Sequence, residues 1–588
     1  MSSAVEEKGG AFGQAAAKRL CVLKFGSSVL GREEDYPKVV EEIYRHVRDG
    51  EKVVAVVSAL AGETDRLLEQ ARRVGGEAAP AALVARVARV GELHSAALLA
   101  LALSKAGLRA ATLDPHEMGL VADGSPLDSN LVSVDSRAVW SRIDVNDVVV
   151  LPGFIADHAD HGVVTLGRGG TDLSAVFFAD RLDAHRVRLI KDVDGVYEED
   201  PAKNPDALRY SYLNYAEAEH ASSGLIQAKA IHAADEWDVL IEVASLGSAE
   251  ATTVARFPAM KARPARPERL KVALLGCGSV GAGVLELLQA QPDLFDVGPV
   301  LVRNPEQHDE PALFTDSVED AVASNPDILV ELVGGVDLAR EAMHHALLQG
   351  AQVVTANKAA LARHWDSLHA AAARNGGELR FSAAVGGGAP ILEALRRLEG
   401  RVVSVEGVMN GTCNYLLSRL AEGWSFAQAL AKAQELGFAE ADPSADVDGL
   451  DAADKLSILV REAFDVALLP KWIDKHSLRD LVPEAAAEAL ESGEVLKQVG
   501  SCRIRPDGSV EAEVRIVALP REHPLAQTRD EENRFLVTDV DGNVHDIFGK
   551  GAGRWPTATA VFADIMDAQR ALLVREPLLG QDAEKMRA

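Results

Sequence analysis

The chain has 588 residues, 47% of them hydrophobic, and a formal charge of −28 at pH 7; that length calls for several domains, and that charge argues against nucleic acid as a partner. No 18-residue apolar run marks a membrane span, and the opening MSSAVEEKGG lacks the basic-then-apolar order of a secretory signal. Cys21, Cys277, Cys413 and Cys502 are scattered without CxxC spacing, so a reducing, cytoplasmic setting with no cysteine-bound metal is expected.

Residues 1–17 are small and polar and are expected to be disordered. From Leu20 to Phe257, the apolar runs CVLKF, KVVAVVS, DVVVLPGFI, RVRLIKDV and VLIEVAS alternate with alanine-rich helical stretches. This predicts an α/β unit with a mainly parallel sheet covered on both faces. Four polar clusters fall at strand ends, where open α/β sheets bind ligands: Lys24 to Ser28, Ser58 to Thr64, Arg168 to Asp172, and Asp192 to Tyr197 followed by Asp200-Pro201. Glycine amides, Lys24 and helix N-termini suit a nucleotide's phosphates, and the aspartates suit Mg²⁺. Each cluster taken alone reads equally well as a structural turn. The stretch PAMKARPARP (258–267) is proline-rich, basic and without apolar periodicity, and is expected to be a linker.

A second βα series opens at RLKVALLGCGSVGAG (269–283), in the order strand, glycine turn, helix that a dinucleotide-binding fingerprint needs. Gly276 would make the turn, Gly278 would let backbone approach a pyrophosphate, and Gly281 would pack helix on strand. The next strand, Val297 to Val302, ends in Arg303; an arginine there suits the 2′-phosphate of NADP, the plain alternative being a surface residue. Val353 to Lys358 (VVTANK) ends another strand with an amide and an ammonium, and AAVGGGAP (383–390) is a glycine turn ahead of a helix. A long helical stretch is expected around Ala441 to Phe464. On it Asp451 and Lys455 are i,i+4, with Asp446 about a turn and a half earlier. A solvated helix end is the bland reading, yet the apolar run Leu456 to Val460 places Lys455 near the core. A half-buried lysine beside carboxylates is a candidate proton donor.

Two resemblances rest on these segments. KFGSSV, VVSALAGETDRLL, TLGRGGTDLSA, DVDGVYEEDP and AKAIH resemble the aspartate kinase catalytic domain within the amino acid kinase family. The resemblance implies that Lys24 bridges phosphoryl groups and that Ser58, Thr64, Glu92, Arg168 and Asp172 form the aspartate site. It gives Asp192, Tyr197 and Lys229 to ATP, bound with Mg²⁺. LLGCGSVG, VVTANKAAL, FSAAVGGGAPI, VEGVMNGTCNYLL and LGFAEADPSADVDGLDAADKLSIL resemble homoserine dehydrogenase collinearly. By that resemblance Glu440, Asp446 and Asp451 hold the substrate, Lys455 is the proton donor and Lys358 sits by nicotinamide and substrate. Gly276, Gly278, Val280, Arg303, Gly334 and Gly553 would line NADP(H). The carbonyls of Val385, Gly387 and Ala389 would hold a monovalent cation such as Na⁺.

The departures are specific. KFGSSV is one glycine shorter than the aspartate kinase loop, Lys191 stands where threonine is usual, Ala202 replaces an arginine, and Ala233 replaces a proline after His232. Ser382 stands where the cation site usually has a glutamate, and no ACT-type regulatory pair follows Val254. The expected organisation is a kinase-like domain at 18–257, a linker at 258–268, a Rossmann domain at 269–395 completed by about 545–575, and an α+β catalytic and dimerisation domain at 396–544. The expected activities are NADPH-dependent interconversion of aspartate semialdehyde and homoserine, and ATP-dependent phosphorylation of aspartate. The alternative is a dehydrogenase whose kinase-like module is non-catalytic or altered in substrate. A homodimer or higher homo-oligomer, with no membrane partner, is expected.

Overall fold

The computed structural model describes residues 19–262, 269–308, 310–436, 438–481 and 483–585. Its first sheet follows from the apolar runs. Leu20–Phe25 lies between Lys52–Val57 and Arg186–Lys191, parallel to both, with Leu23 opposite Ala55 and Arg188. Val148–Pro152 and Ala110–Thr112 extend it on one side and Ile241–Ser245 on the other. The central strands Leu20–Phe25, Lys52–Val57, Val148–Pro152 and Arg186–Lys191 are buried on both faces, as expected of a helix-covered parallel sheet. The run DVVVLPGFI is split: Val148–Pro152 stays in this sheet, whereas Ile155–His158 joins a separate four-stranded sheet with Gly162–Thr165, Val121–Ser125 and Asp128–Ser133. Alternation within the run gave no sign of that change of sheet at Gly153.

Two expectations are corrected here. The segment 258–267 is not wholly irregular, because Met260–Ala262 forms an edge strand antiparallel to Arg209–Leu213; residues 1–18 and 263–268 lie outside the described residues. The helix Ala81–Lys105 is long and apolar enough by composition to cross a membrane, which a search for an uninterrupted apolar run missed. In the fold it packs on Glu63–Gly75 and on Val148–Pro152, burying Ala85, Ala88, Leu99 and Leu103 together with Glu92.

The second sheet is all parallel, in the order Phe314–Thr315, Phe295–Leu301, Leu270–Leu275, Ile328–Glu331, Gln352–Thr355, Leu379–Arg380. A third sheet is mostly antiparallel and is built on Val402–Val408 between Glu494–Ile504 and Glu532–Asp539. After it the chain returns: the helix Arg554–Lys585 lies along Ser279–Gln289, and Arg554 pairs with Glu286 at 2.7 Å. The long helix expected from Ala441 is interrupted. Ser444–Val447 is a single turn, Gly449 takes φ +72°, and the main helix is Leu450–Phe464. Only glycine adopts that left-handed step readily.

Candidate functional site

The strand Leu270–Leu275 runs into Gly276 at φ +98°, where a Cβ would lie 2.8 Å from the carbonyl oxygen of Leu332. A Cβ on Gly281 would lie 2.1 Å from the Gly276 carbonyl oxygen, so helix Ser279–Gln289 can approach the turn only with glycine there. Gly278 caps that helix and would meet nothing within 4 Å. The outer glycines therefore shape the turn, and the middle one leaves room for a ligand at a helix N-terminus. In front of it lies a cleft of about 600 Å³ lined by Gly276, Gly278, Arg303, Asn304 and His308. Leu332 is shared with a neighbouring cleft of about 300 Å³ lined by Val280, Glu331, Gly334, Asn357 and Lys358. Arg303 is exposed, and among the described residues no carboxylate pairs with it. Gly553, at φ +111°, starts the helix that lies against Ser279–Gln289. These residues fit a dinucleotide.

Glu331 escaped the sequence reading. It ends a buried strand, accepts from Thr355 Oγ1 at 2.6 Å and from the Val333 amide at 3.0 Å, and burial pushes its carboxyl up. It fixes the turn that presents Asn357 and Lys358. The only signal in the sequence was an acid closing an apolar run.

Beyond Lys358 the structure assembles a charged cluster. Asp451 Oδ1 lies 3.0 Å from Lys358 Nζ and its Oδ2 lies 2.8 Å from Lys455 Nζ. Lys455 also donates to the Met409 carbonyl at 2.5 Å. Because Gly449 breaks the helix, Asp446 does not reach Asp451 by helical spacing. Asn410 joins them instead, donating to Asp446 at 2.7 Å and to Asp451 at 2.9 Å. Asn410 was not singled out from sequence, since its partners lie far along the chain. Burial opposes ionisation of Asp451, but Lys455 and Lys358 outweigh it and hold the carboxyl well below its usual range. Asp451 in turn raises Lys358, and burial pushes Asp446 up. Glu440 is exposed. Its carbonyl accepts from Gln434 at 2.9 Å, and among the described residues no bond ties its carboxylate to the cluster.

The glycine loop after Ser382 packs against the late glycine segment. The Gly388 amide donates to the Lys550 carbonyl at 2.9 Å, and a Cβ on Gly387 would lie 2.8 Å from the carbonyl oxygens of Lys550 and Gly551. Of the three carbonyls expected to hold a cation, those of Val385, Gly387 and Ala389, the last already accepts from the Ile391 amide at 2.8 Å. Ser382 offers no carboxylate. Its hydroxyl accepts from Arg48 Nη2 at 2.8 Å and donates to Asp564 at 2.8 Å. The positive charge at this place is a guanidinium, and the donor set does not fit an exchangeable monovalent cation.

In the first module the strands Leu20–Phe25 and Arg186–Lys191 are neighbours, so Lys24 and Lys191 end side by side. Both hold Asp172, at 2.8 Å and 3.0 Å, and all three are buried. Burial opposes the charge on Asp172, but the two ammoniums outweigh it and keep the carboxyl low; burial lowers Lys191. Ser58 Oγ donates to Thr171 Oγ1 at 3.2 Å. Glu92 is 1% exposed, and burial pushes its carboxyl up to about 8; its Oε2 has no hydrogen-bond partner. Thr64 is half-buried at the start of Glu63–Gly75, and Arg168 and Asp192 are exposed. Tyr197 donates to Asp194 at 2.7 Å, and Lys229 pairs with Asp128 at 2.5 Å. Lys24, Lys191 and Asp172 thus form a buried cluster of two lysines on one carboxylate, chemistry that suits an anionic group. Lys191, read from sequence only as a departure, is part of that cluster.

Comparison with known proteins locates three family matches: "Amino acid kinase family" over residues 19–239, "Homoserine dehydrogenase, NAD binding domain" over 276–382, and "Homoserine dehydrogenase" over 390–566. The chain is 39% identical over 316 residues to a homoserine dehydrogenase of Synechocystis sp., covering 51% of this chain and 73% of that protein. It is 36% identical over 316 residues to one of Lactococcus lactis subsp. lactis, covering 50% and 73%. Among solved structures, a homoserine dehydrogenase from Thiobacillus denitrificans is similar at 34% identity and a TM-score of 0.50, over 52% of this chain and 75% of that one.

Proposed function

The chain belongs to the homoserine dehydrogenase family and carries an amino acid kinase family domain before it, and we propose that it interconverts L-aspartate 4-semialdehyde and L-homoserine with NADP(H). The observation that carries this reading is the Lys358–Asp451–Lys455 cluster, whose Lys358 lines the cleft next to that of the glycine turn. Reduction of the semialdehyde needs a hydride at carbon and a proton at oxygen; the bound dinucleotide supplies the hydride. Lys455, paired with Asp451 at 2.8 Å and oriented by the Met409 carbonyl, gives the proton to the forming alkoxide. Asp446 and Asp451, bridged by Asn410, face the substrate's ammonium. Arg303 takes the 2′-phosphate, which favours NADPH over NADH.

Lys455→Ala should lower kcat by roughly 10²–10⁴-fold, the range for losing a positioned acid, while NADPH binding measured by fluorescence stays near wild type. Turnover within a few-fold of wild type would remove Lys455 from the chemistry.

For the first module, the reading is ATP-dependent phosphorylation of L-aspartate on its side-chain carboxylate. Lys24 and Lys191 would neutralise the transferring phosphoryl group, Arg168 would clamp the α-carboxylate and Glu92 would face the α-ammonium. Lys191 on Asp172 favours a second reading, an acceptor other than aspartate, because the extra ammonium narrows the space beside the phosphoryl group. ADP release measured across a panel of amino acids separates the two: aspartate-dependent turnover supports the first, and turnover with another acceptor alone supports the second.

A further inference from the structure

The helix Tyr36–Arg48 belongs to the first module, yet it turns much of its buried face to the second. Val39, Val40, Ile43 and Val47 share one apolar cluster with Val284, Leu288, Phe562 and Met566. The polar contacts are more specific. Tyr44, fully buried, donates to the Gly388 carbonyl at 3.2 Å. The Arg48 guanidinium, in a residue 4% exposed, donates from Nε to Glu393 at 2.8 Å and from Nη2 to Ser382 at 2.8 Å. It also pairs with Asp564, and through Nη1 with Asp567 at 3.1 Å. The Arg48 carbonyl accepts from Arg397 at 2.5 Å.

Among the described residues, Arg48 is the sole cation within ion-pair distance of Glu393 and of Asp564. Two buried carboxylates without a counter-charge would be strongly unfavourable, so this geometry of the second module requires a side chain of the first. The partners bracket the glycine loop: Ser382 precedes it, and Glu393 lies in the helix Ile391–Arg397 that follows. On its far side the loop presses on Gly549 to Gly551, where a Cβ at Gly549 would lie 2.5 Å from the Ala389 amide. Past the loop, Ile391–Arg397 packs on Leu450–Phe464, with Arg396 on Glu462 at 3.1 Å. Arg48 therefore sets the loop between the late glycine segment and the helix that carries Asp451 and Lys455.

We propose that Arg48, steadied by Tyr44, is a positioning residue for the dehydrogenase: a built-in cation, contributed by the kinase module, that holds the glycine loop where an exchangeable monovalent cation would otherwise be needed. The proposal rests on the dehydrogenase reading given above. It explains why Ser382 can stand beside the loop without an acid of its own: the carboxylates there serve Arg48.

The test uses the full chain in tetramethylammonium buffers. Wild-type homoserine oxidation should change less than twofold on adding NaCl or KCl. Arg48→Ala should lose at least about tenfold in kcat/KM and bind NADPH more weakly by fluorescence, and low-millimolar guanidinium should restore both; a lost buried charge partner makes an effect of that size or larger. Arg48→Lys should fall between, and Tyr44→Phe should show a smaller loss of the same kind, which keeps the test open if Arg48→Ala does not fold. Strong activation of wild type by Na⁺ or K⁺ overturns the proposal, as does a folded Arg48→Ala with wild-type NADPH affinity and kinetics. If wild type lacks the dehydrogenase activity, the functional reading fails instead, and the NADPH titrations of Arg48→Ala and Tyr44→Phe still decide the role of Arg48.

Discussion

Each module sets one aspartate between two lysines, buried at Asp172 and half-buried at Asp451, and the neighbours make the two clusters differ. Around Asp172 stand Lys24 and Lys191, at 2.8 and 3.0 Å, and the nearby Glu92 carboxyl is pushed up to about 8 and so is mostly uncharged at neutral pH. The sum is one net positive charge, a setting for an anion. Around Asp451 stand Lys358 and Lys455, at 3.0 and 2.8 Å, but Asp446 and Asp454 lie close enough to act on it. Asp454 is met by the Arg363 guanidinium at 3.9 Å, so the carboxyl left beside the Lys358–Asp451–Lys455 triad without a cation within ion-pair distance, among the described residues, is Asp446, a setting that suits a substrate with its own ammonium. On the proposed reading, the same triad of side chains would serve phosphate in one place and proton transfer in the other because its company differs, not because the residues do.

The strongest way to break this comparison is to neutralise each centre. Asp451→Asn leaves two lysines without their shared anion, and should cut dehydrogenase kcat/KM by roughly 10³-fold, with ATP turnover within twofold of wild type. Asp172→Asn should do the reverse. Steady-state assays of both reactions on both variants decide it. A tenfold cross-effect in either direction would mean the two clusters are not separate sites.

A smaller effect is expected at Arg303. If it takes the 2′-phosphate, Arg303→Ala should reduce the preference for NADPH over NADH by roughly 10- to 100-fold, since a charge-assisted contact contributes about 1.5–3 kcal/mol. Paired KM measurements give the answer, and equal changes for both cofactors would reduce Arg303 to a surface residue. The outcome also sharpens the contrast between modules, because phosphate would then be met by an exposed side chain in one and a buried cluster in the other.

What could be read from sequence follows the range of the forces involved. The fingerprint at Gly276–Gly281 was legible because its constraints are local: a turn, a helix start and contacts a Cβ would fill. Lys358, Asp451 and Lys455 were legible as chemistry and as a resemblance, and the structure brings them together. Asn410 was not, because its two partners lie 36 and 41 residues away, and Gly449 broke the helix that was expected to align Asp446. Lys191 was visible only as an oddity until strand order placed it beside Lys24. Arg48 carried no signal at all: nothing in YPKVVEEIYRHVR marks one arginine as the counter-charge of carboxylates more than 300 residues away.

The smallest expected effect tests the charge on which the comparison turns. Glu92 is buried in the helix Ala81–Lys105, its Oε2 has no partner, and burial pushes its carboxyl from 4.5 to about 8 despite an Ala59 amide and the charge of Lys24. A carboxyl raised by folding stabilises the fold fully below its unfolded value. That contribution is lost as pH climbs from there through the folded value, here between about 4.5 and 8. Glu92→Gln keeps the shape and cannot ionise. Its melting temperature should match wild type near pH 5 and exceed it at pH 8.5, by at least ~3 °C at the usual ~2–4 °C per kcal/mol for a domain of this size. An amino acid whose ammonium pairs with the Glu92 carboxylate should lift wild type at pH 8.5 and leave the variant where it is. A melting difference that stays constant from pH 5 to 8.5 would mean that Glu92 is already ionised, that the cluster around Asp172 carries no net positive charge, and that the two modules are more alike than their neighbours suggest.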